Sequence, residues 1–225
     1  MPTPRAALFR PLLLSAALGM LPALAAPCDN VVKPFQVGWV WSYRTVPVPA
    51  PAAGPADAQT VSAYQVRSRV AEGGYEDVYT AGGKTQGTFR FRCVQGALTV
   101  VSLPSMAGVE ISKSAVTGVS LPAASDWKPG LSWTQVWTLE GRKGLLSGTA
   151  VVSSRSQVLG RESVTIPAGT FMAWKVSVKT VLDAKMGFVP LHQEFPVQTQ
   201  WYAENVGLVR TEDAKGYTEL LRLQK

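Results

Sequence analysis

The sequence predicts an all-β fold: a single antiparallel, mostly meander, strongly curved sheet forming a closed or half-open barrel. Three observations carry this. Runs of alternating polar and apolar residues recur along most of the chain, the period of strands with two unlike faces. Glycine-containing turns separate these runs at short spacing, and no helical pattern lies between them, which excludes the crossovers of a parallel sheet. The strands are long and follow one another as neighbours, which suits a curved sheet better than a seven-stranded sandwich. About a dozen strands are expected.

Residues 1–25 read as a processing segment. Arg5 and Arg10 form a basic start, residues 12–24 an apolar run, and Ala23-Leu24-Ala25 a small-x-small cleavage site. That is the form of a secretory signal peptide, cleaved near Ala25. The apolar run is shorter than the roughly 20 residues of a spanning helix, and no later segment is apolar enough to span. Pro27 directly before Cys28 does not fit a lipidation motif. The expected location is therefore periplasmic or extracellular.

Residues 26–225 are expected to form one domain. The chain carries a formal charge of +7. Removing Arg5 and Arg10 leaves 20 basic against 15 acidic residues, a net +5. Such a charge favours anionic envelope surfaces and says nothing about fold. No basic run suggests nucleic acid. With only two cysteines, an exported chain is expected to pair Cys28 with Cys93.

The first strand covers residues 38–45, with Trp39, Trp41 and Tyr43 on one face. Three aromatics on one face need cover, so that face looks inward. Residues 46–59, rich in Pro and Ala, read as an internal loop, because proline lacks a ladder donor. A strand over 60–71 sets Val66 against Arg67 and Arg69. Strands at 75–79, 87–94 and 97–103 follow, joined by glycine turns, with Phe89, Phe91 and Cys93 opposite Arg90 and Arg92. Residues 104–130 are less regular. A strand at 131–139 places Trp133 and Trp137 on one face, and a long strand at 144–159 bends near Gly148. Two hairpins close the chain: 161–166 with 171–180 around Pro167-Ala168-Gly169-Thr170, and 199–203 with 207–210. A last strand covers 217–223. On the strand after Thr170, Trp174 is expected to be buried with Met172, Val176 and Val178, opposite Phe171, Ala173, Lys175, Ser177 and Lys179.

Motifs for chemistry are weak. Gly83-Lys84-Thr85 resembles the end of a phosphate loop, but Val78 stands where its first glycine belongs and a strand follows; it reads as a hairpin turn. His192 is the sole histidine, and with Glu194 it offers too few ligands for zinc. No G-x-S-x-G elbow accompanies it. Carboxylates are scattered. No catalytic residue, metal site or cofactor is expected.

Trp39, Trp41, Tyr43, Trp133, Trp137, Trp174 and Trp201 fall at alternate positions of different strands. They form either a packed core or the lining of a cavity for an apolar, lipid-like ligand. Arg67, Arg69, Arg90, Arg92, Lys175 and Lys179 form the matching outer face. That face is either solvated strand surface or a dock for anionic envelope material.

Gly38-x-x-Trp41-x-Tyr43, Pro167-Ala-Gly-Thr-Phe171 and Trp201-Tyr-Ala-x-x-Val206-Gly-Leu-Val209 resemble the motifs of a group of uncharacterised exported bacterial β-rich proteins. More distantly, the chain is similar to envelope lipoprotein-carrier-like folds. The resemblance implies a curved sheet around an apolar cavity and transfers no catalytic residue. The expected function is a non-enzymatic envelope binding or structural module. The alternative is a carboxylate-dependent hydrolase of wall or glycan material.

Overall fold

In the computed structural model the described residues are 30–34, 36–48, 60–69, 74–102 and 109–225, excluding the side chains of 60 and 67–69. The signal segment, Cys28 and most of the Pro/Ala-rich loop lie outside them, as do the side chains of Arg67 and Arg69.

Thirteen strands follow one another: β1 (Val40–Pro47), β2 (Thr60–Arg69), β3 (Tyr75–Ala81), β4 (Lys84–Val94), β5 (Ala97–Ser102), β6 (Glu110–Gly118), β7 (Ser132–Lys143), β8 (Leu146–Ile166), β9 (Gly169–Met186), β10 (Val189–Glu194), β11 (Gln198–Ala203), β12 (Gly207–Asp213) and β13 (Gly216–Gln224). A single 3-10 turn, Ala124–Asp126, is the one helical element among the described residues. All pairings are antiparallel, in the order β5-β4-β3-β2-β1-β13-β12-β11-β9-β8-β7-β6, with β10 on β9. The expected all-β, strongly curved sheet is present, and it forms a nearly closed barrel.

The free edges meet at a seam. Leu98 donates its amide to the Leu121 carbonyl at 2.8 Å and accepts from the amides of Ser120 at 2.7 Å and Leu121 at 3.1 Å. The chain reaches that seam through Gly118 at φ +77°, where a Cβ would meet the Thr134 carbonyl oxygen at 2.0 Å. Only glycine fits such a left-handed, crowded position.

The turns at Gly82-Gly83 and Gln95-Gly96 lie where the glycines predicted them, whereas those at Gly144-Leu145 and Gly187-Phe188 were not expected. The Gly82–Gly83 turn has both φ values positive, +55° and +73°, so Gly83-Lys84-Thr85 belongs to a hairpin. The irregular reading of residues 104–130 is corrected in part, because β6 is a regular strand paired to β7. The loop expected to begin at Val46 begins later. Val46 and Pro47 pair with Tyr217 and Gly216 of β13, while pairing to β2 stops at Thr45. Beyond that point one edge of β1 is free, and proline is tolerated there.

The strands at 144–159 and 161–166 are one strand, β8, which pairs with β9 from Gly148 to Ile166. A register shift between Val158 and Gly160 bends it without ending it. Halfway along β9 the neighbour changes. Ala173–Val178 pair with β11, and Val181–Met186 pair with β10. The outer halves of β7, β8 and β9, with β6 and β10, thereby leave the barrel as a single-layer arm. From Thr180 to Met186 the arm extends roughly 20 Å at about 3.3 Å per residue.

A strap, residues 30–34, crosses the barrel. Buried Asn30 donates through Nδ2 to the carbonyls of Gly96 at 2.8 Å and Pro122 at 2.9 Å. The Val31 carbonyl accepts from the Asn205 amide at 2.7 Å. Burying Asn30 is tolerable because its amide is fully engaged.

Candidate functional site

The aromatic residues of β1 to β4 meet across register pairs. Trp41 lies opposite Tyr64, and Tyr64 opposite Tyr79, with which it stacks at 4.8 Å between ring centroids. Tyr75 and Phe91 stack at 4.6 Å. These inner faces curve around a cavity of about 270 Å³. Its apolar wall is made by Trp41, Tyr43, Tyr64, Phe89, Phe91 and Tyr202, with Val100, Leu121 and Leu208 completing it.

Two charged side chains enter that wall. Lys33, on the strap, reaches Asp77 of β3 with Nζ–Oδ2 at 2.9 Å. Asp77 is 1% exposed, and its Oδ1 has no hydrogen-bond partner among the described residues. The Lys33 ammonium also lies 5.2 Å from the Phe91 ring, 5.5 Å from Trp41 and 5.8 Å from Tyr75. Ring faces carry negative potential, so three rings share in holding the cation.

The phenols are fixed donors. Burial, then the neighbouring Tyr64, Tyr202 and Asp77, raises the Tyr43 pKa, and its hydroxyl donates to the Leu208 carbonyl at 2.9 Å. Burial together with Tyr79 and Asp77 pushes Tyr64 up to about 12. Burial also raises Tyr202, whose hydroxyl donates to Gln200 Oε1 at 2.7 Å. None of these groups is poised as a base at neutral pH.

Of the seven aromatics expected at a cavity, Trp41 and Tyr43 line this one. Trp39 is half-buried beside Trp41, 5.9 Å away, with Lys225 over its other neighbourhood at 4.9 Å. Trp133 is half-buried against Trp127 and donates to the Ser120 carbonyl at 3.1 Å. Trp137 is buried at the root of the arm, in register with Val152. Trp201 is on the opposite face from its neighbour Tyr202. It is covered by Lys175 and Arg210, each 5.6 Å from its ring, and it donates to Glu162 Oε1 at 2.8 Å. It therefore belongs to the outer wall.

Trp174 departs from the expected burial. It is half-buried, 6.1 Å from Trp127, with the Arg161 guanidinium 4.8 Å from its ring. Ala173, assigned to the solvent side, is fully buried, and Met172, assigned inward, is 57% exposed. β11 ends at Ala203 opposite Ala173, so Met172 has a neighbouring strand on its β8 side only. The outer wall at Ala173 is itself covered, which a single strand's alternation does not disclose.

The expected basic face is largely paired. Arg90 bonds Glu76 opposite it at 2.6 Å, Lys175 reaches Glu162 at 3.2 Å, and Lys179 reaches Glu194 at 3.0 Å. The Trp201 indole and then Lys175 hold the Glu162 carboxyl below its ordinary pKa. Arg92 is exposed. His192 is exposed on the arm with Nδ1 2.6 Å from Asp183 Oδ1, which raises its pKa. Among the described residues no group of three His, Cys, Asp or Glu side chains could hold a metal ion. No helix among them is long and apolar enough to cross a membrane. Cys93 is disulfide-bonded, and no described cysteine is free; the expected partner, Cys28, lies outside the described residues.

Sequence reasoning missed Lys33, Asp77, Tyr64 and Tyr202 as site residues. For Phe89 and Phe91 the signal was present, because aromatics alternate on β4 as they do on β1; Tyr64 is the single aromatic of β2 and had no such pattern around it. Lys33 had no signal, since it comes from a strap without periodicity.

No curated protein matches the chain. Two solved structures are similar to it. One, from Parabacteroides distasonis, is described as a "putative lipoprotein"; it is 22% identical, covers 87% of this chain and 99% of its own, with a TM-score of 0.58. The other, from Bacteroides fragilis, is described as a "putative exported protein with YmcC-like fold"; it is 19% identical, covers 85% and 98%, with a TM-score of 0.52. At that identity the likeness concerns the fold alone. Within that fold, residues 146–221, from the start of β8 into β13, match the model of the DUF3108-like family.

Proposed function

We propose that the chain is an exported, non-enzymatic module of the cell envelope that holds an apolar ligand with a hydrogen-bond-donating head in the barrel cavity. The observation that carries this is Asp77. A carboxylate 1% exposed, with one oxygen on Lys33 and the other unpartnered at the wall of an aromatic cavity, is costly to the fold. Buried ion pairs stabilise less well than apolar side chains of the same volume. A hydroxyl or ammonium head on the ligand would engage Oδ1, and the rings would enclose its apolar body. The volume of about 270 Å³ lies near the small end of ligand pockets, which suits one acyl chain or a compact ring system.

Export is supported by the leader-like residues 1–25 and by the description of the two similar structures as a lipoprotein and an exported protein. The non-enzymatic reading is supported by the cavity wall, where Asp77 is the one carboxylate and is ion-paired; a carboxylate hydrolase needs two facing a substrate. Pairing of Cys28 with Cys93 belongs to the same proposal. Thiol titration of the unfolded mature protein without reductant should find no free thiol, and two would remove the bridge.

Native mass spectrometry of the protein from its own host tests the ligand. A bound apolar adduct is expected, lost in Asp77→Ala. An adduct-free protein whose tryptophan fluorescence is also unchanged by a long-chain alcohol or amine would reject it.

A further inference from the structure

We propose that the free end of the arm inserts into the surface of an anionic phospholipid bilayer. Two turns form that end, Gly144-Leu145 between β7 and β8 and Gly187-Phe188 between β9 and β10. They lie side by side, because Gly148 pairs with Met186 and the Gly187 amide donates to the Ser147 carbonyl at 3.0 Å. At their tips Leu145 is 103% exposed and Phe188 97%, followed by Leu146 at 58% and Val189 at 69%.

Leu145 and Phe188 contribute no burial to the fold, so packing does not explain them. Single exposed apolar residues are ordinary, but four adjoining ones at the far end of a projection mark an interaction surface. The surface continues along one face of the arm. Register places Leu139, Ala150, Ala184 and Leu191 in one row across four strands. With Ile111 and Met186 they line an apolar groove of about 330 Å³.

Charge selects the occupant. The acidic groups of the arm are already engaged: Glu110 with Arg142 at 2.7 Å, Glu140 with Lys113 at 3.0 Å, and Asp183 with His192. Lys143 and Lys185, immediately behind the tips, have no ion-pair partner among the described residues. The uncompensated charge around the apolar tip is thus positive. An apolar point ringed by free ammonium groups matches acyl chains beneath anionic headgroups. A second copy of the chain would bring the same two lysines against themselves. This inference is independent of the ligand in the barrel cavity.

Vesicle flotation with the full mature chain tests it, using phosphatidylcholine vesicles with and without about 30 mol% phosphatidylglycerol as the probe, the anionic lipid supplying a negative surface potential. The wild type should float with the anionic vesicles and only weakly with neutral ones. Leu145→Ser with Phe188→Ser should fold normally, since both sites are solvent-exposed, and should weaken binding by about a hundredfold. Lys143→Gln and Lys185→Gln should each weaken it about fivefold, an effect that added salt abolishes. Three outcomes would overturn the proposal: no flotation of the wild type, equal flotation of the double serine variant, or a concentration-dependent dimer that the serine changes dissolve while vesicle binding is absent.

Discussion

The barrel and the arm are built from the same strands, yet they treat their apolar faces in opposite ways. β8 and β9 run through both. In the barrel their inner residues, such as Val158 and Val176, are 1% and 0% exposed. Farther out on the same face Ala150 and Ala184 are half-buried, and on β10 Leu191 is 53% and Val189 69% exposed. β9 keeps its alternation into the arm, with Leu182, Ala184 and Met186 against Asp183 and Lys185, so the pattern does not create burial; curvature does. Where the sheet closes through the Leu98–Leu121 seam, the apolar face becomes a core. Where β6 to β10 continue past the seam without closing, it meets water.

That contrast can be broken most forcefully at the seam. Leu98 is 0% exposed, so Leu98→Ala should cost about 3 kcal/mol. Leu191→Ala on the arm, at 53% exposure, should cost less than about 0.5 kcal/mol. Urea unfolding of the two variants compares them directly, and equal losses would mean that the arm is packed in solution. Next is the cavity. Lys33→Met leaves the Asp77 carboxylate buried without its cation and should cost about 2 to 3 kcal/mol. Adding Asp77→Asn should recover part of that loss in a double-mutant cycle, whereas additive losses would mean that the pair does not couple. Trp174→Ala samples the boundary between the regions. Half-buried and partly covered by Arg161, it should cost about 1 to 2 kcal/mol rather than the roughly 3 to 5 of a fully buried aromatic.

The smallest effect belongs to the arm's surface. The hydrogen bond His192 donates to Asp183, then that carboxylate's charge, raises the His192 pKa above its ordinary value. A group raised on folding stabilises fully below its unfolded pKa, and that contribution fades as pH rises through the folded value. The single histidine makes this readable by proton NMR: its midpoint should lie above the ordinary value and return toward it in Asp183→Asn. A midpoint unchanged by that substitution would remove the ion pair.

Much of the barrel was legible in the sequence. The turns at Gly82-Gly83 and Gln95-Gly96, and the Pro167-Ala168 turn into β9, announce their strands through residues that tolerate the required backbone. β10 was not legible, because Val-Pro-Leu-His-Gln-Glu lacks a clean alternation. It is an edge strand with both faces wet, so nothing selects an alternation there. The site was legible by half. Trp41 and Tyr43 declared themselves, but Trp201 looked equivalent and faces outward, because its cover comes from Lys175 and Arg210 on other strands. Lys33 and Asp77 meet only because the strap folds back across a sequence separation of 44. The basic outer face misled for the same reason: its neutralising carboxylates stand opposite or diagonally across the ladder, where only register reveals them.

The pairing of β1 with β13 has a kinetic consequence. The first strand finds one of its two neighbours in β13, Gly216–Gln224, and Arg44 meets Glu219 across a separation of 175 residues. A chain that emerges from its N-terminus first must therefore keep β1 half-paired until β13 has followed. The strap hydrogen bonds of Asn30 span 66 and 92 residues, and they too await later segments. Closing such long loops before any contact repays their entropy makes folding slow. The barrel should thus reach its native state only once β13 is available, on a timescale of about milliseconds to seconds. A chain cut before β13 would expose the inner edge of β1 to any other strand seeking a partner.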